Sequence, residues 1–286
     1  MNGILIINKE SGPTSRDIVN IISKKFNTKK VGHTGTLDPG ATGVLVVCLG
    51  KALKIAELFS NDDKEYIAGV TLGLEYDTID LYGKLIREEN VNISKDEIVE
   101  AVNSFKGSYQ QEVPLYSAVK VNGRKLYQYA RSGQKIQLPV KEVTVKEIEI
   151  VGDIKYIDGK VYFKIRCVVS KGTYIRSLVR DIGKKLGTIA VMNSLVRTRQ
   201  GIFDINNSYS INDITNDNYK LLAITEVFPN IKKVKVNHEM AIKVMNGVVL
   251  DKIFDDDMAF ILDDENNLIA LYKRDNEKCR AYKMFL

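Results

Sequence analysis

The spacing of apolar residues predicts a mixture of strands and helices in the first two thirds of the chain. Apolar residues alternate with polar ones over residues 160–169, as in a strand, and recur every three or four positions from Ile175 to Leu186, as in a helix. The same criteria predict further strands at residues 3–8, 44–49 and 64–73, and helices at residues 51–59 and after the capping sequences Thr14-x-x-Asp17 and Ser94-x-x-Glu97. The helix after Ser94 has Ile98, Val99, Val102 and Phe105 on its apolar face. This mixture favours an α+β fold.

The last part of the chain is predicted to form a smaller unit rich in strands. Apolar runs near residues 258–262, 268–272 and 280–285 predict three strands, with a turn from Asp263 to Asn267. A chain of 286 residues is long enough for one large and one small domain. We therefore expect a large domain of residues 1–229 and a small one of residues 231–286.

A glycine-rich stretch precedes the second predicted strand and is the first candidate for chemistry. Four glycines and a proline surround one carboxylate, Asp38, in the segment from Gly32 to Gly43. Either this is a tight turn in which Asp38 binds nearby backbone amides, or the loop presents Asp38 to a ligand. A phosphate-binding loop is excluded because Val44 and Leu45 follow the last glycine, and the glycine spacing does not match a dinucleotide-binding loop.

The net charge of +6 is modest, but its distribution is uneven. Residues 231–286 contain ten basic and ten acidic residues, so the excess lies in the rest of the chain. Residues 113–141 contain six cations interleaved with tyrosines and no acid, and residues 164–199 contain nine cations and one acid, Asp181. Such stretches are typical of RNA-binding surfaces, although a solvated basic face has the same composition.

The composition does not indicate a membrane-spanning, secreted or metal-binding protein. No apolar run reaches the roughly 20 residues of a membrane-spanning helix, and the N-terminus lacks the features of a signal peptide, so we expect a cytoplasmic protein. The three cysteines lie far apart and only two histidines are present, which indicates neither a metal site nor a disulfide framework.

The glycine-rich stretch GHTGTLDPGATGVL closely resembles the catalytic-aspartate motif of the TruB family of tRNA pseudouridine-55 synthases. Other segments resemble further motifs of this family: Lys64-Glu65-Tyr66, the Pro114-to-Lys120 segment, the Ser170-to-Leu178 segment and the Leu195-to-Arg199 segment. A segment from Asn8 to Ser15 resembles the N-terminal motif, but Glu10 stands where proline is usual. The resemblance covers roughly residues 1–205, and the tail is assigned by analogy.

This resemblance implies the pseudouridine synthase fold, with a central mixed, mainly antiparallel sheet flanked by helices and a small β-rich, PUA-like RNA-binding domain at residues 231–286. It implies an isomerase that flips uridine 55 out of the T-loop of tRNA and cleaves and re-forms its glycosidic bond. No cofactor, metal or obligatory protein partner is expected, and the protein is expected to be a monomer whose partner is the T-arm of tRNA.

The family motifs also imply roles for individual residues. Asp38 is the expected catalytic carboxylate, with Arg176 as its ion-pair partner and Tyr66 stacked on the target base. The remaining expected active-site residues are Tyr174, Leu195 and His33. Of these, His33 would fill the space that the flipped base leaves in the RNA. The expected RNA-binding cations, some of them in an insertion near residues 113–141 that grips the RNA arm, are Lys64, Lys120, Arg124, Lys125, Lys171, Arg180 and Arg197.

Two other functions stay open on the sequence alone. One is that of the guide-RNA-directed relatives, which share the aspartate motif but work inside a protein–RNA particle. The other is an RNA chaperone that unfolds and refolds tRNA without chemistry. The presence of Asp38, Tyr66, Tyr174 and Arg176 in their motifs favours an enzyme.

Overall fold

The computed structural model describes the backbone of residues 1–286 and every side chain except that of Ser60. The large unit begins with β1 (Gly3–Lys9), α1 (Ser15–Lys25), β2 (Val31–His33), β3 (Thr42–Leu49), a 3₁₀ helix at Gly50–Ile55, α2 (Ala56–Ser60), β4 (Lys64–Leu72), β5 (Leu74–Tyr76), β6 (Leu85–Glu88), α3 (Lys95–Asn103) and β7 (Gly107–Glu112). It continues with β8 (Lys120–Val121), β9 (Arg124–Lys125), α4 (Leu126–Arg131), β10 (Val140–Ile157), β11 (Lys160–Val169), α5 (Ile175–Lys185), β12 (Ala190–Gln200), β13 (Phe203–Asp204), a 3₁₀ helix at Ile205–Asn207 and α6 (Ile211–Thr215). The last unit consists of β14 (Lys232–Lys235), α7 (His238–Met245), β15 (Leu250–Asp251), β16 (Met258–Leu262), β17 (Leu268–Asp275) and β18 (Lys278–Met284).

A nine-stranded sheet forms the centre of the large unit, in the order β1-β3-β12-β4-β11-β10-β7, with β2 beside β3 and β13 beside β12. The pairing of β12 with β3 is parallel and the others are antiparallel. Helices α1, α3 and α5 bury their apolar side chains against this sheet in one core. The expected mixed, mainly antiparallel sheet flanked by helices is confirmed.

The sequence-predicted elements are largely present, and the main differences concern two helices and one long strand. Both capping sequences form reciprocal capping boxes at the starts of α1 and α3. The segment 51–59 forms a 3₁₀ helix followed by the short α2, instead of one α-helix. Val99 is exposed, because only Ile98, Ala101 and Val102 of α3 turn towards the core. The 18-residue strand β10 was not predicted, since charged residues cover its outer face and only side chains such as Val145 are apolar and buried.

The C-terminal residues form a second sheet, in the order β14-β16-β17-β18-β15, which confirms a β-rich unit. This sheet shares a core with the large unit rather than standing apart from it. Phe260 is fully buried in an apolar cluster that also contains Ile4 and Val44, and a series of aromatic contacts runs from Phe59 through Phe228 to Phe260. The two sheets are therefore expected to unfold together. Among the described residues, no helix is long and apolar enough to cross a membrane.

The shared core leads to a prediction about stability. We expect Phe260→Ala to lower the free energy of unfolding by about 3–5 kcal/mol, because the substitution leaves a cavity where both units meet. Thermal unfolding followed by circular dichroism should show one transition at a lower temperature. The exposed Leu286→Ala is the control and should unfold like the wild type. Two separate transitions, of which only one shifts, would contradict a shared core.

Candidate active site

Asp38 lies in the loop between β2 and β3, and this loop is held by its backbone. Lys9, at the end of β1, is fully buried, and its Nζ donates to the carbonyl oxygens of Pro39 at 3.0 Å and Ala41 at 2.7 Å. Ser15, at the start of α1, donates to the Leu37 carbonyl at 3.0 Å and accepts from the Leu37 amide at 2.9 Å. These contacts fix the backbone on either side of Asp38.

Strand β12 supports the same loop from below. Arg197 is 1% exposed, and its guanidinium donates to the carbonyl oxygens of Val44 at 2.7 Å and Gly35 at 3.0 Å. Gly43 has a φ of +96°, and a Cβ there would lie 2.2 Å from the Arg197 carbonyl oxygen. Only glycine allows the start of β3 to approach β12 this closely. Burial lowers the pKa of Lys9, and the neighbouring Asp38 charge opposes this shift.

Arg176 approaches the Asp38 carboxylate from the opposite side. It lies at the start of α5, where its Nη2 is 2.9 Å from Oδ2 of Asp38 and its Nη1 is 3.6 Å from Oδ2 of Asp80. The guanidinium also donates to the carbonyl oxygens of Thr78 at 2.9 Å and Tyr116 at 3.0 Å. The side chain of Arg176 is 7% exposed and that of Asp80 12%, whereas that of Asp38 is 43% exposed. Arg176 is therefore held by protein contacts, whereas the Asp38 carboxylate is partly exposed.

The start of α5 is itself anchored by β7. The side-chain amide of Gln111 accepts from the Tyr174 amide at 2.8 Å and donates to the Tyr174 carbonyl at 3.1 Å. Ser177 donates to the Glu112 carbonyl at 2.8 Å. These bonds position Arg176 without using its own side chain.

A cleft of about 800 Å³ opens in front of this ion pair. Its walls come from the aspartate loop, the β5–β6 hairpin, the segment after β7, the start of α5 and β12. Four of the expected active-site residues line it beside Asp38: Tyr66, Tyr174, Arg176 and Leu195. Burial raises the pKa of the Tyr174 phenol. The cleft combines one exposed carboxylate, one fixed guanidinium and aromatic walls, which suits a planar base that must be turned during a reaction.

His33 lies at the end of β2, and the cleft lining does not include it. Its Nδ1 is buried and has no hydrogen-bond partner among the described residues. Burial lowers the pKa of His33, and the positive charges of Arg16 and Arg197 lower it further. At neutral pH the imidazole is therefore expected to be uncharged.

The cations expected to bind RNA fall into two groups. Lys120 and Arg124 are exposed on the β8–β9 hairpin, where Arg124 lies 4.7 Å over the ring of Tyr129. Lys125 lies 5.6 Å over the ring of Tyr127. Lys171 is exposed and donates to the side chain of Asn61 at 3.0 Å.

The other three cations make internal contacts. Lys64 is buried and donates to the Asp62 carbonyl, while Arg180 pairs with Glu112 and Asp181, each at 2.9 Å. Arg197 is buried beneath the loop, as described above. A direct contact with phosphate requires an exposed cation, so burial gives Lys64 and Arg197 a structural role instead of the expected one. The side chain of Arg180 is 17% exposed, and its expected contact with RNA stays a prediction.

The sequence analysis missed several residues of the site. Asp80 lies in the loop of the β5–β6 hairpin, where its carboxylate accepts from the Thr78 hydroxyl at 2.6 Å and the Tyr82 amide at 3.1 Å. Lys9 was placed only in the segment that resembles the N-terminal motif, and Gln111 in no element. No local pattern marks Asp80 in the sequence, and its long-range partner Arg176 is 96 positions away.

Two family descriptions match the chain. Residues 23–175 match the TruB family pseudouridylate synthase (N terminal domain), and residues 176–224 match the tRNA pseudouridylate synthase B C-terminal domain. The chain is 44% identical to the tRNA pseudouridine synthase B of Alkaliphilus oremlandii over 250 residues, which are 86% of this chain and 82% of the relative. It is 41% identical to that of Acholeplasma laidlawii over 287 residues, which are 100% of both chains.

Solved structures show the same fold. A chain in the complex of Cbf5, Nop10 and Gar1 superposes with a TM-score of 0.70 at 25% identity, over 99% of this chain and 85% of that one. A chain in an H/ACA ribonucleoprotein bound to a substrate RNA containing 2′-deoxyuridine superposes with a TM-score of 0.69 at 24% identity, with the same coverage. The sequence resemblance is confirmed. The chain therefore belongs to the TruB family of pseudouridine synthases and is an isomerase.

Proposed function

We propose that this enzyme converts uridine 55 in the T-loop of tRNA to pseudouridine. The relatives that match the full chain are tRNA pseudouridine synthases, which supports tRNA as the substrate. The observation that carries the proposal is the Asp38–Arg176 pair, at 2.9 Å, in a cleft with aromatic walls. The cleft is large enough for one nucleotide that has left its stack, as base-flipping enzymes require.

The reaction breaks the bond between N1 of uracil and C1′ of the ribose and forms a bond between C5 and C1′. The proton on C5 leaves, and N1 gains one, so the product is an isomer of the substrate. Asp38 acts on the nucleotide as a nucleophile or as a base, and both roles need an ionised carboxylate with a free oxygen. Arg176 orients the carboxylate, while the exposed part of Asp38 faces the substrate.

The aromatic and apolar walls hold the flipped base. Tyr66 is buried on β4 with access to the cleft, where it stacks on the uracil ring and takes the C5 proton in the last step. Tyr174 and Leu195 complete the pocket. His33 fills the space that the base leaves in the RNA, since an uncharged imidazole stacks on bases at low desolvation cost.

The rest of the RNA is held outside the cleft. Residues 113–141 form the RNA-gripping insertion, in which Lys120, Arg124 and Lys125 contact phosphates, with a further contact from Lys171. The large domain of residues 1–229 carries the chemistry, and residues 231–286 form a PUA-like domain that contributes to RNA binding. The enzyme works as a monomer in the cytoplasm without a protein partner or cofactor.

The first prediction concerns Asp38. With tRNA labelled with tritium at C5 of uridine, the wild type should release about one equivalent per tRNA and Asp38→Asn none, because the amide cannot act as nucleophile or base. The variant should still bind tRNA and unfold at the wild-type temperature. A transcript with cytidine at position 55 should release nothing. Tritium release by Asp38→Asn would remove this carboxylate from the mechanism.

The second prediction concerns Asp80. Asp80→Asn keeps the shape of the side chain but removes the second carboxylate beside Arg176. We expect the single-turnover rate to fall by about 10- to 100-fold, since a small displacement of a catalytic group is enough for such a loss. The affinity for tRNA should not change. The control is Glu75→Gln on the same hairpin, whose carboxylate pairs with Arg87 instead. A loss of affinity at a wild-type rate would contradict this positioning role.

The third prediction concerns the insertion. Lys120→Ala combined with Arg124→Ala should weaken tRNA binding and make the dependence of log K on log salt shallower by about two, one for each lost phosphate contact. The matched control is Lys95→Ala combined with Lys106→Ala, which removes two exposed cations beside α3. Equal salt slopes for the two double variants would show that the insertion makes no phosphate contacts through these residues.

A further inference from the structure

Tyr82 covers the aspartate loop at the mouth of the cleft. It lies in the loop of the β5–β6 hairpin and is 71% exposed, although it is a large aromatic residue. Its phenol end sits directly over Gly40, two residues from Asp38: a Cβ on Gly40 would lie 1.9 Å from Cε2 of the ring. The ring can occupy this place only because residue 40 has no side chain.

Two further contacts fix the position of Tyr82. Its hydroxyl is hydrogen bonded to the hydroxyl of Ser11, at 3.1 Å. Its backbone amide donates to Oδ1 of Asp80, whose Oδ2 is 3.6 Å from Arg176. The ring is thus connected through Asp80 to the arginine that orients Asp38. An exposed aromatic side chain on a loop is usually mobile, whereas this one is held at its amide, its ring and its hydroxyl.

The exposed ring lines the same cleft as Asp38 and Tyr66. Its hydroxyl already has a partner in Ser11, so the part of Tyr82 that remains for a ligand is the face of its ring. Aromatic faces in RNA-binding clefts bind unpaired bases by stacking. Removal of a uridine from its loop unstacks the neighbouring nucleotides, which then present such faces at the mouth of the cleft.

We propose that Tyr82 stacks on an unpaired base next to the flipped uridine, so that it is a second base-binding residue in addition to Tyr66. This inference rests on the proposed function, because it requires a flipped uridine in the cleft. Tyr82 binds the RNA beside the reacting nucleotide and takes no part in bond making. Its effect is therefore on binding, and the phenyl ring is the part that matters.

The main test compares Tyr82→Ala with Tyr82→Phe. Tyr82→Ala should raise the KM for tRNA about tenfold, within the range found when one stacking side chain is removed, and should change kcat by much less. Tyr82→Phe keeps the ring and should restore the wild-type KM. Ile86→Ala, which removes another exposed apolar side chain from the same hairpin, is the control and should behave like the wild type.

A double-mutant cycle tests whether Gly40 is needed to make room for the Tyr82 ring. The φ of Gly40 lies outside the left-handed region, so alanine fits the backbone, and the three atoms nearest to its Cβ all belong to the Tyr82 side chain. Gly40→Ala should therefore raise the KM in the presence of Tyr82 and have no further effect on Tyr82→Ala. An equal effect of Gly40→Ala on both backgrounds would show that the glycine serves the loop itself.

A fluorescence measurement separates stacking from a purely structural role. With 2-aminopurine placed beside the target uridine, the complex with Tyr82→Ala should be brighter than the wild-type complex, because an aromatic ring stacked on 2-aminopurine quenches it. Equal KM values and equal fluorescence for the wild type and Tyr82→Ala would overturn the inference and leave the proposed function standing. If the modified uridine proved to lie elsewhere in tRNA, tritium release from uniformly labelled tRNA would still compare the Tyr82 variants.

Discussion

The aspartate loop is held by its backbone carbonyl and amide groups, and this leaves the Asp38 carboxylate open to the cleft. Lys9 and Arg197 bind carbonyl oxygens of the loop and of the strand that follows it, and Ser15 binds the backbone of Leu37. If these donors bound Asp38 directly, its carboxylate oxygens would be occupied. The guanidinium of Arg176 touches the carboxylate and sets its direction. The backbone atoms of the loop thus accept or donate the supporting hydrogen bonds, and the Asp38 carboxylate takes part in none of them.

Two buried cations, Lys9 and Arg197, bind backbone carbonyl oxygens of the aspartate loop. A buried ammonium or guanidinium is costly to desolvate unless several acceptors surround it, and the bent loop supplies such carbonyl oxygens. Loop and cations therefore depend on each other. The C-terminal sheet extends this dependence, since its aromatic core reaches β1, which carries Lys9, and β3, which follows the loop. The β-rich unit is thus packed against two of the strands that hold the loop.

The sequence alone predicted the elements whose signals are local. The capping boxes, the alternation in β11 and the apolar periodicity of α5 depend on neighbouring residues, and the structure confirms them. The family motifs brought Asp38, Tyr66, Tyr174 and Arg176 to one cleft. Asp80 was missed because its partner, the guanidinium of Arg176, is distant in the sequence. Arg197 was expected to bind RNA from its place in a family motif, and a motif does not distinguish an exposed cation from one buried beneath a loop.

The parallel pairing of β12 with β3 extends over only two residue pairs, at Val196 and Arg197. Leu195 and Arg197 are two positions apart on β12, so they share a face of the strand, one lining the cleft and the other bracing the loop. A shift of this strand by one residue would turn both side chains to the opposite face. Leu195 would then no longer line the cleft, and the buried guanidinium of Arg197 would lose its carbonyl acceptors. The register of this one strand therefore determines both the wall of the cleft and the support of the aspartate loop.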